Sequence, residues 1–252
     1  MEFNWDNPQH IIGNWPVLGG GEFVGRCLTL HQSMSWPAYQ THLNELLSGV
    51  SYQRRYEILT EYKPTDQMGI KQWHRWFPSS GAWLDFSTDR YSIVYEPGNP
   101  NYRFENWESD LWVDCDLAGT KYFNRFWKPD AIRASQTHGL FVKSHSAAQF
   151  LGLAKLFPAA KKFKLVNCRK WQDICFKAGK VVDTQLIEDL GYQGNDIELF
   201  EFDMYALISD ENSFNTQMNK AYDYFFPGSQ FSEVAPYLLE FRRVYIKWHI
   251  SF

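Results

Sequence analysis

The second half of the chain alternates short apolar strands with helices, and this alternation constrains the fold more than any other feature. Strands are predicted over residues 139–143, 162–166 and 197–202, and helices over 147–157, 170–178, 183–190 and 212–226. The first half adds a strand over 10–14 and a helix over 22–30. Strands that alternate with helices pair in parallel through right-handed crossovers. The sequence therefore predicts a three-layer α/β fold with an open, mostly parallel sheet.

Residues 63–129 break this alternation with prolines, short alternating pieces and many tryptophans. At 252 residues the chain is long enough for one large domain or two small ones. We predict a single domain over 1–252, with 63–129 as an aromatic-rich insertion over the sheet edge. Its rings can stack on a sugar or a planar base, although filling a core is the commoner role of such side chains. Further helices are predicted over 39–47, 53–62 and 120–127, with Asp210 capping 212–226 and Ser232 capping a final helix.

Net charge and cysteine usage narrow the partners that we expect. A net charge of −4 argues against general nucleic-acid binding. No apolar run approaches the length of a membrane span, and the first residues lack the pattern of a secretory signal. The four cysteines form no C-x-x-C pair, which favours reduced thiols over a structural zinc site. We expect a cytoplasmic protein with no metal, no nucleic-acid partner and no membrane partner.

One segment of this acidic chain is strongly basic. Between residues 155 and 180 the only acid is Asp173, and the basic residues there are Lys155, Lys161, Lys162, Lys164, Arg169, Lys170, Lys177 and Lys180. From 181 to 219 there is no lysine or arginine. Such a local excess indicates either an anion site or an ordinary solvated helix face, and the sequence leaves both interpretations open.

Three polar corners follow three predicted strands, and a parallel sheet brings such corners together at its carboxyl edge. They are Gly19-Gly20-Gly21, Lys143 with His145, and Asn167-Cys168-Arg169. The glycine corner resembles a phosphate loop, because glycines let backbone N–H groups approach an anion at a helix N-terminus. It lacks the lysine of the Walker pattern, and Glu22 stands where the helix begins. A plain strand–helix turn is the alternative.

The second corner carries the residue types of an acid–base site. A histidine such as His145 accepts a proton near neutral pH, and a lysine such as Lys143 stabilises negative charge on a group in transfer. The alternative interpretation is structural: Ser144 caps the following helix, the lysine faces solvent and the histidine is a hydrogen-bonded core residue.

The order of these motifs resembles sulfotransferases, and among them the divergent sulfotransferase-like proteins of marine phages. The resemblance is carried by Gly19 to Phe23, by Phe141 to His145, and by the Phe-Pro-x-Ala-Lys-type stretch over 157–166. It implies a P-loop-like fold and transfer of a sulfuryl group from 3′-phosphoadenosine 5′-phosphosulfate to a hydroxyl of a small molecule or glycan. His145 would be the base and Lys143 the stabilising cation, with Gly19, Gly20, Gly21, Arg169 and Lys170 around the donor.

The chain departs from that family at several donor-binding positions. Asn167 and Cys175 stand where the family has an arginine and a serine that hold the 3′-phosphate, although Arg169 and Lys170 follow closely. Glu22 replaces the family's polar or basic loop residues. These departures favour a second hypothesis, a catalytically degenerate sulfotransferase fold that serves as a structural or interaction protein, for example in a virion. Protein partners would then replace the small-molecule or glycan acceptor.

Overall fold

A computed structural model describes residues 4–16, 20–35, 45, 47–60, 133–144, 147–177, 192–194 and 196–250. Within them the strands are β1 (Ile11–Asn14), β2 (Phe141–Ser144), β3 (Lys161–Val166) and β4 (Phe200–Asp203). The helices are α1 (Gly21–Thr29), α2 (Tyr52–Thr60), α3 (Ala147–Leu156), α4 (Arg169–Lys177), α5 (Met204–Ser209), α6 (Glu211–Phe225) and α7 (Phe231–Ile250). The predicted insertion over 63–129, the predicted helices over 120–127 and 183–190, and most of the one over 39–47 lie outside the described residues.

The described strands form one sheet in the order β2-β1-β3-β4, and every neighbouring pair is parallel. Ile11 of β1 stands opposite Phe141 of β2 on one side and Lys161 of β3 on the other. The strand order therefore reverses at β1. This confirms the prediction of an α/β fold built on a parallel sheet.

The side chains of the sheet alternate between two faces, and helices cover both. One face contributes Ile11, Phe141, Phe163 and Phe202 to a large apolar core with buried residues of α1, α6 and α7. On the opposite face α3 packs against β1 and β2, where Ile12 and Val142 are also buried. The described part of the chain is thus layered as helices, sheet, helices.

Aromatic rings dominate the core beneath α1. Trp15, Phe141 and Phe163 form a three-ring cluster with centroid separations of 6.1, 6.0 and 5.9 Å. Gly13 makes room for it, because a Cβ there would stand 2.8 Å from a ring carbon of Phe163. At these positions aromatic side chains fill the core, in agreement with their commoner role.

Two aspartates begin consecutive helices after β4. Asp203 accepts a hydrogen bond from the Ala206 N–H at 3.0 Å, and Asp210 accepts one from the Ser213 N–H at 2.8 Å. The cap at Asp210 confirms its prediction, whereas α5 is a helix that the sequence analysis missed. The predicted cap at Ser232 is wrong, because α7 already begins at Phe231 and contains Ser232 within its first turn.

Arg55 of α2 is fully buried and ties α2 to the end of α1. Its guanidinium donates to the carbonyl oxygens of Leu30 and Thr29, both at 2.8 Å, and to that of Met34. The carbonyls of Thr29 and Leu30 are ones that the end of α1 leaves without helical partners, and Met34 lies in the segment that follows. Burial lowers the pKa of Arg55 to about 10. In the described part of the chain, no helix is long and apolar enough to cross a membrane.

Candidate functional site

The carboxyl ends of the four strands lie along one edge of the sheet, which we call the carboxyl edge. Asn14 at the end of β1 stands opposite Ser144 of β2, and Val166 of β3 stands opposite Asp203 of β4. The corners after these strands therefore share this edge. Ligands of open parallel sheets bind where the strand order reverses, and here that point lies between β1 and β3.

The predicted site residues are described to different extents. Gly19 and His145 lie outside the described residues, and Lys143 is described only as the β2 backbone residue opposite Gly13. Gly20 and Gly21 open α1. Arg169 and Lys170 are the first two residues of α4. The structure thus places the glycine corner and the basic pair at neighbouring strand ends, and it does not test the pairing of Lys143 with His145.

Buried side chains press on the glycine corner. Gly20 has a φ of +87°, and a Cβ there would stand 2.8 Å from the sulfur of Met204 and 3.1 Å from Trp171. A Cβ on Gly21 would overlap the ring of Trp15. Both glycines are therefore explained by packing alone. Sequence analysis missed this, because Trp171 and Met204 reach the corner from α4 and α5.

The contact between Trp171 and Gly20 brings the N-termini of α4 and α1 close together. Trp171 is the third residue of α4 and Gly20 is the N-cap of α1, so the two helix N-termini adjoin. No side chain caps the N-terminus of α1. The first turn of α4 contains no acid. Helix N-termini carry partial positive charge from their aligned peptide dipoles, so two positive helix ends meet here, with Glu22 as the second residue of α1.

Arg169 and Lys170 make weak contacts with the residues that the structure describes. The Arg169 guanidinium lies 3.2 Å from Asp173, but the two side chains are 72% and 51% exposed. Such exposed pairs contribute little to stability. The Lys170 ammonium lies 3.7 Å from the ring centre of Tyr205, which is 43% exposed. Both cations can therefore turn towards a ligand at small cost.

Asn167 and Asp203 close the gap between β3 and β4. Asn167 has a φ of +56°, a left-handed conformation that costs free energy in a residue other than glycine. Its amide donates to Asp203 at 2.8 Å, and the same carboxylate caps α5. The turn directs the chain into Cys168 and α4. Burial raises the pKa of the Cys168 thiol to about 12, so this cysteine is not a nucleophile near neutral pH.

The basic segment has two parts with different surroundings. Lys161 donates to the carbonyls of Tyr224 and Phe225 at 2.6 and 2.9 Å, and Lys162 donates to Ala160 at 2.6 Å. Lys164 pairs with Glu201 at 2.8 Å. These strand lysines have partners inside the fold and form neither an anion site nor a solvated helix face. Arg169 and Lys170, in contrast, stand at the carboxyl edge.

In the parts of the chain that are described, no group of three histidine, cysteine, aspartate or glutamate side chains is placed to hold a metal ion. No protein-family model, no curated protein and no solved structure matches this chain.

Proposed function

We propose that the carboxyl edge between β1 and β3 binds 3′-phosphoadenosine 5′-phosphosulfate on a P-loop-like α/β fold. The protein then transfers the sulfuryl group to a hydroxyl of a small molecule or glycan. The order of sequence motifs that resembles sulfotransferases suggests this reaction. The geometry of the described residues supports its first requirement, a place for a multiply charged anion.

The observation that carries the proposal is the position of Arg169 and Lys170 at the first turn of α4. Cations at a helix N-terminus oppose the helix dipole, and each costs about 0.3–1 kcal/mol at an exposed position. The salt bridge from Arg169 to Asp173 runs from cation to acid along the helix, which is the less favourable order. A bound phosphate offsets this unfavourable arrangement, because it neutralises both the cations and the helix N-terminus.

Each site residue then has a defined task. Arg169 and Lys170 hold phosphate oxygens of the donor, and the backbone N–H groups around Gly20 and Gly21 face its 5′-phosphosulfate. His145, which follows β2 directly, takes the acceptor's hydroxyl proton as the oxygen–sulfur bond forms. Lys143 stabilises the phosphate oxygen as its bond to sulfur breaks, and 3′-phosphoadenosine 5′-phosphate leaves with that electron pair. This assigns the proton, the sulfuryl group and the leaving group.

A specific observation also favours the second candidate function, a non-catalytic structural or interaction protein on the same fold. The glycine corner is packed by Trp15, Trp171 and Met204, which are all buried. The glycines therefore need no ligand to account for them. In this alternative the exposed ring of Tyr205 and the cations beside it contact a protein partner in place of a nucleotide.

Thermal unfolding with and without 3′-phosphoadenosine 5′-phosphate separates the two functions. A ligand at 100 times its dissociation constant stabilises the folded state by about 2.7 kcal/mol, which raises the midpoint by roughly 5–10 °C for a chain of this length. We expect a saturable shift in the wild type. In Arg169→Ala we expect the ligand concentration that gives half of the maximal shift to rise at least tenfold. Arg243→Ala is the matched control, because Arg243 is also exposed and paired on a helix, with Glu211 at 2.9 Å.

The two results lead to different conclusions. Absence of a shift at millimolar ligand in the wild type would contradict donor binding and leave the interaction protein as the better function. If the ligand binds, His145→Ala tests the transfer step. We expect this variant to bind the ligand normally and to lose nearly all turnover, because a proton acceptor contributes 10²-fold to 10⁴-fold to the rate.

A further inference from the structure

Three segments that are distant in sequence cross at Gly139, at the amino edge of the sheet. The Gly139 N–H donates to Ser33 O at 2.8 Å, and the Ser35 N–H donates to Gly139 O at 2.8 Å. A Cβ on Gly139 would stand 2.6 Å from the sulfur of Met34 and 2.7 Å from the carbonyl carbon of Gln9. We call this crossing of residues 4–10, 31–35 and 133–140 the Gly139 seam.

His10 holds one side of the seam and is fully buried. Its Nδ1 accepts a hydrogen bond from the Leu140 N–H at 2.9 Å, so this nitrogen carries no proton. Its Nε2 then donates to Asn4 O at 2.8 Å. Because both ring nitrogens bind backbone groups, only the neutral ring fits, and protonation of Nδ1 breaks the bond to Leu140.

His31 holds the other side. Its Nδ1 lies 3.2 Å from the Ser33 nitrogen and 2.8 Å from the Ser33 hydroxyl, within the turn whose carbonyl receives the Gly139 N–H. Its ring stacks on Phe226 at 3.9 Å. The Ser33 hydroxyl can accept as well as donate, so His31 has a partner in both protonation states, whereas the acceptor of the Leu140 N–H requires a neutral His10.

Of the charged and titratable groups around the two rings, Arg55 disfavours protonation and the tyrosines are neutral near pH 7, whereas the exposed carboxylates of Asp6 and Glu233 favour it. Around His31 these are Arg55 and Tyr52 of α2 and Tyr222 of α6, with the exposed Glu233 of α7 acting on Tyr52. Around His10 they are the exposed Asp6 and the backbone of Lys161, whose ammonium is held by Tyr224 and Phe225. Burial lowers the pKa of each histidine to about 4, and Arg55 adds to the effect at His31.

We propose that His10 is an acid-sensitive latch, which keeps the Gly139 seam closed at neutral pH and opens it in mildly acidic solution. The pKa of His10 is about 4 in the folded protein against an ordinary 6.5. Its stabilising contribution is complete above pH 6.5 and is lost as the pH falls towards 4. At pH 5 protonation of His10 raises the opening equilibrium about 30-fold.

Hydrogen exchange of single amides, measured by NMR between pH 7.5 and 5, tests the latch on the wild-type chain. Gly139 and Leu140 are the reporters, and amides of α6 such as those of Phe214 and Met218 are the reference. We expect the protection factors of the reporters to fall by about 30-fold while those of α6 change far less. Equal losses at the reporters and at α6, or no loss at the reporters, would overturn the proposal.

A variant assigns the response to His10. Asn keeps an acceptor near the position of Nδ1 but does not titrate, so His10→Asn should remove the loss of about 30-fold in protection. The amides of α6 serve as the reference in both proteins. A full acid response in His10→Asn would also refute the latch, and the wild-type exchange data decide if the variant does not fold.

Discussion

Substitution of three glycines tests whether packing accounts for the glycine corner. Gly20 and Gly228 share a φ of +87°, but a Cβ on Gly228 would meet nothing within 4 Å, whereas one on Gly20 would meet Met204 and Trp171. Gly21 is the opposite of Gly228: its φ is ordinary for an L-residue, but a Cβ there would overlap Trp15. The three alanine variants therefore separate backbone strain from overpacking.

The structure gives each variant a magnitude. Gly228→Ala carries only the left-handed strain, about 1–2 kcal/mol. Gly20→Ala adds overpacking of about 1–3 kcal/mol, and because the end of Met204 can move, we expect a total of about 2–4 kcal/mol. In Gly21→Ala the gain of alanine over glycine in a helix, up to about 1 kcal/mol, opposes the overpacking. Trp15 cannot move easily within its three-ring cluster, so we expect a net loss of about 2 kcal/mol.

Urea denaturation, followed by tryptophan fluorescence, measures the free energy of unfolding of each variant. Gly20→Ala should lose the most stability. Gly21→Ala should lose less, and Gly228→Ala should lose no more than Gly21→Ala. The reasoning fails if Gly21→Ala is as stable as the wild type, because Trp15 then does not press on the corner. It also fails if Gly20→Ala costs no more than Gly228→Ala, because the shared strain would then be the whole effect.

Two further predictions concern buried groups. Arg55→Met should cost about 3–5 kcal/mol in urea denaturation, because it leaves the buried carbonyls of Thr29, Leu30 and Met34 without this donor. Arg54→Met, at an exposed arginine paired with glutamates, should cost far less, and equal losses would contradict this account. Burial raises the pKa of the thiols of Cys27 and Cys168. After brief iodoacetamide treatment at pH 8, mass spectrometry should therefore find both cysteines unmodified in the native protein and modified in the denatured protein. Rapid labelling of the native protein would contradict their burial.

The elements that sequence analysis found are those with strong local signals. α3 and α6 have helical spacing of apolar residues, and α6 has the cap at Asp210. α5 was missed because it has six residues, too few to show periodicity, and directly follows a strand. Its one local signal was Asp203, a capping residue that closes β4 and begins α5. Pairing in parallel followed from the alternation of elements, whereas the position of β1 between β2 and β3 depends on contacts across the whole chain.

The candidate site was predictable to the same degree. That the corners share the carboxyl edge follows from parallel pairing alone. What fills the glycine corner does not, because Trp15, Trp171 and Met204 reach it from three different elements. The lysines of β3 show the same limit: their number suggested an anion site, but the alternation of the strand directs Lys161 to one face and Lys162 and Lys164 to the other.

The positions of the cations at the two edges of the sheet support a ligand at the carboxyl edge. At the amino edge, Arg55 and Lys161 donate to the last carbonyls of α1 and α6, where positive charge complements the helix dipole. At the carboxyl edge, Arg169 and Lys170 add positive charge to a helix end that is already positive. If stability alone had placed these charges, acids would be favoured there, as Asp203 and Asp210 are at α5 and α6. A bound anion would supply the missing negative charge, and the phosphate dependence of unfolding tests this. Millimolar phosphate should stabilise the wild type more than it stabilises a variant with Arg169→Ala and Lys170→Ala. Equal stabilisation would mean that this charge pattern has no ligand.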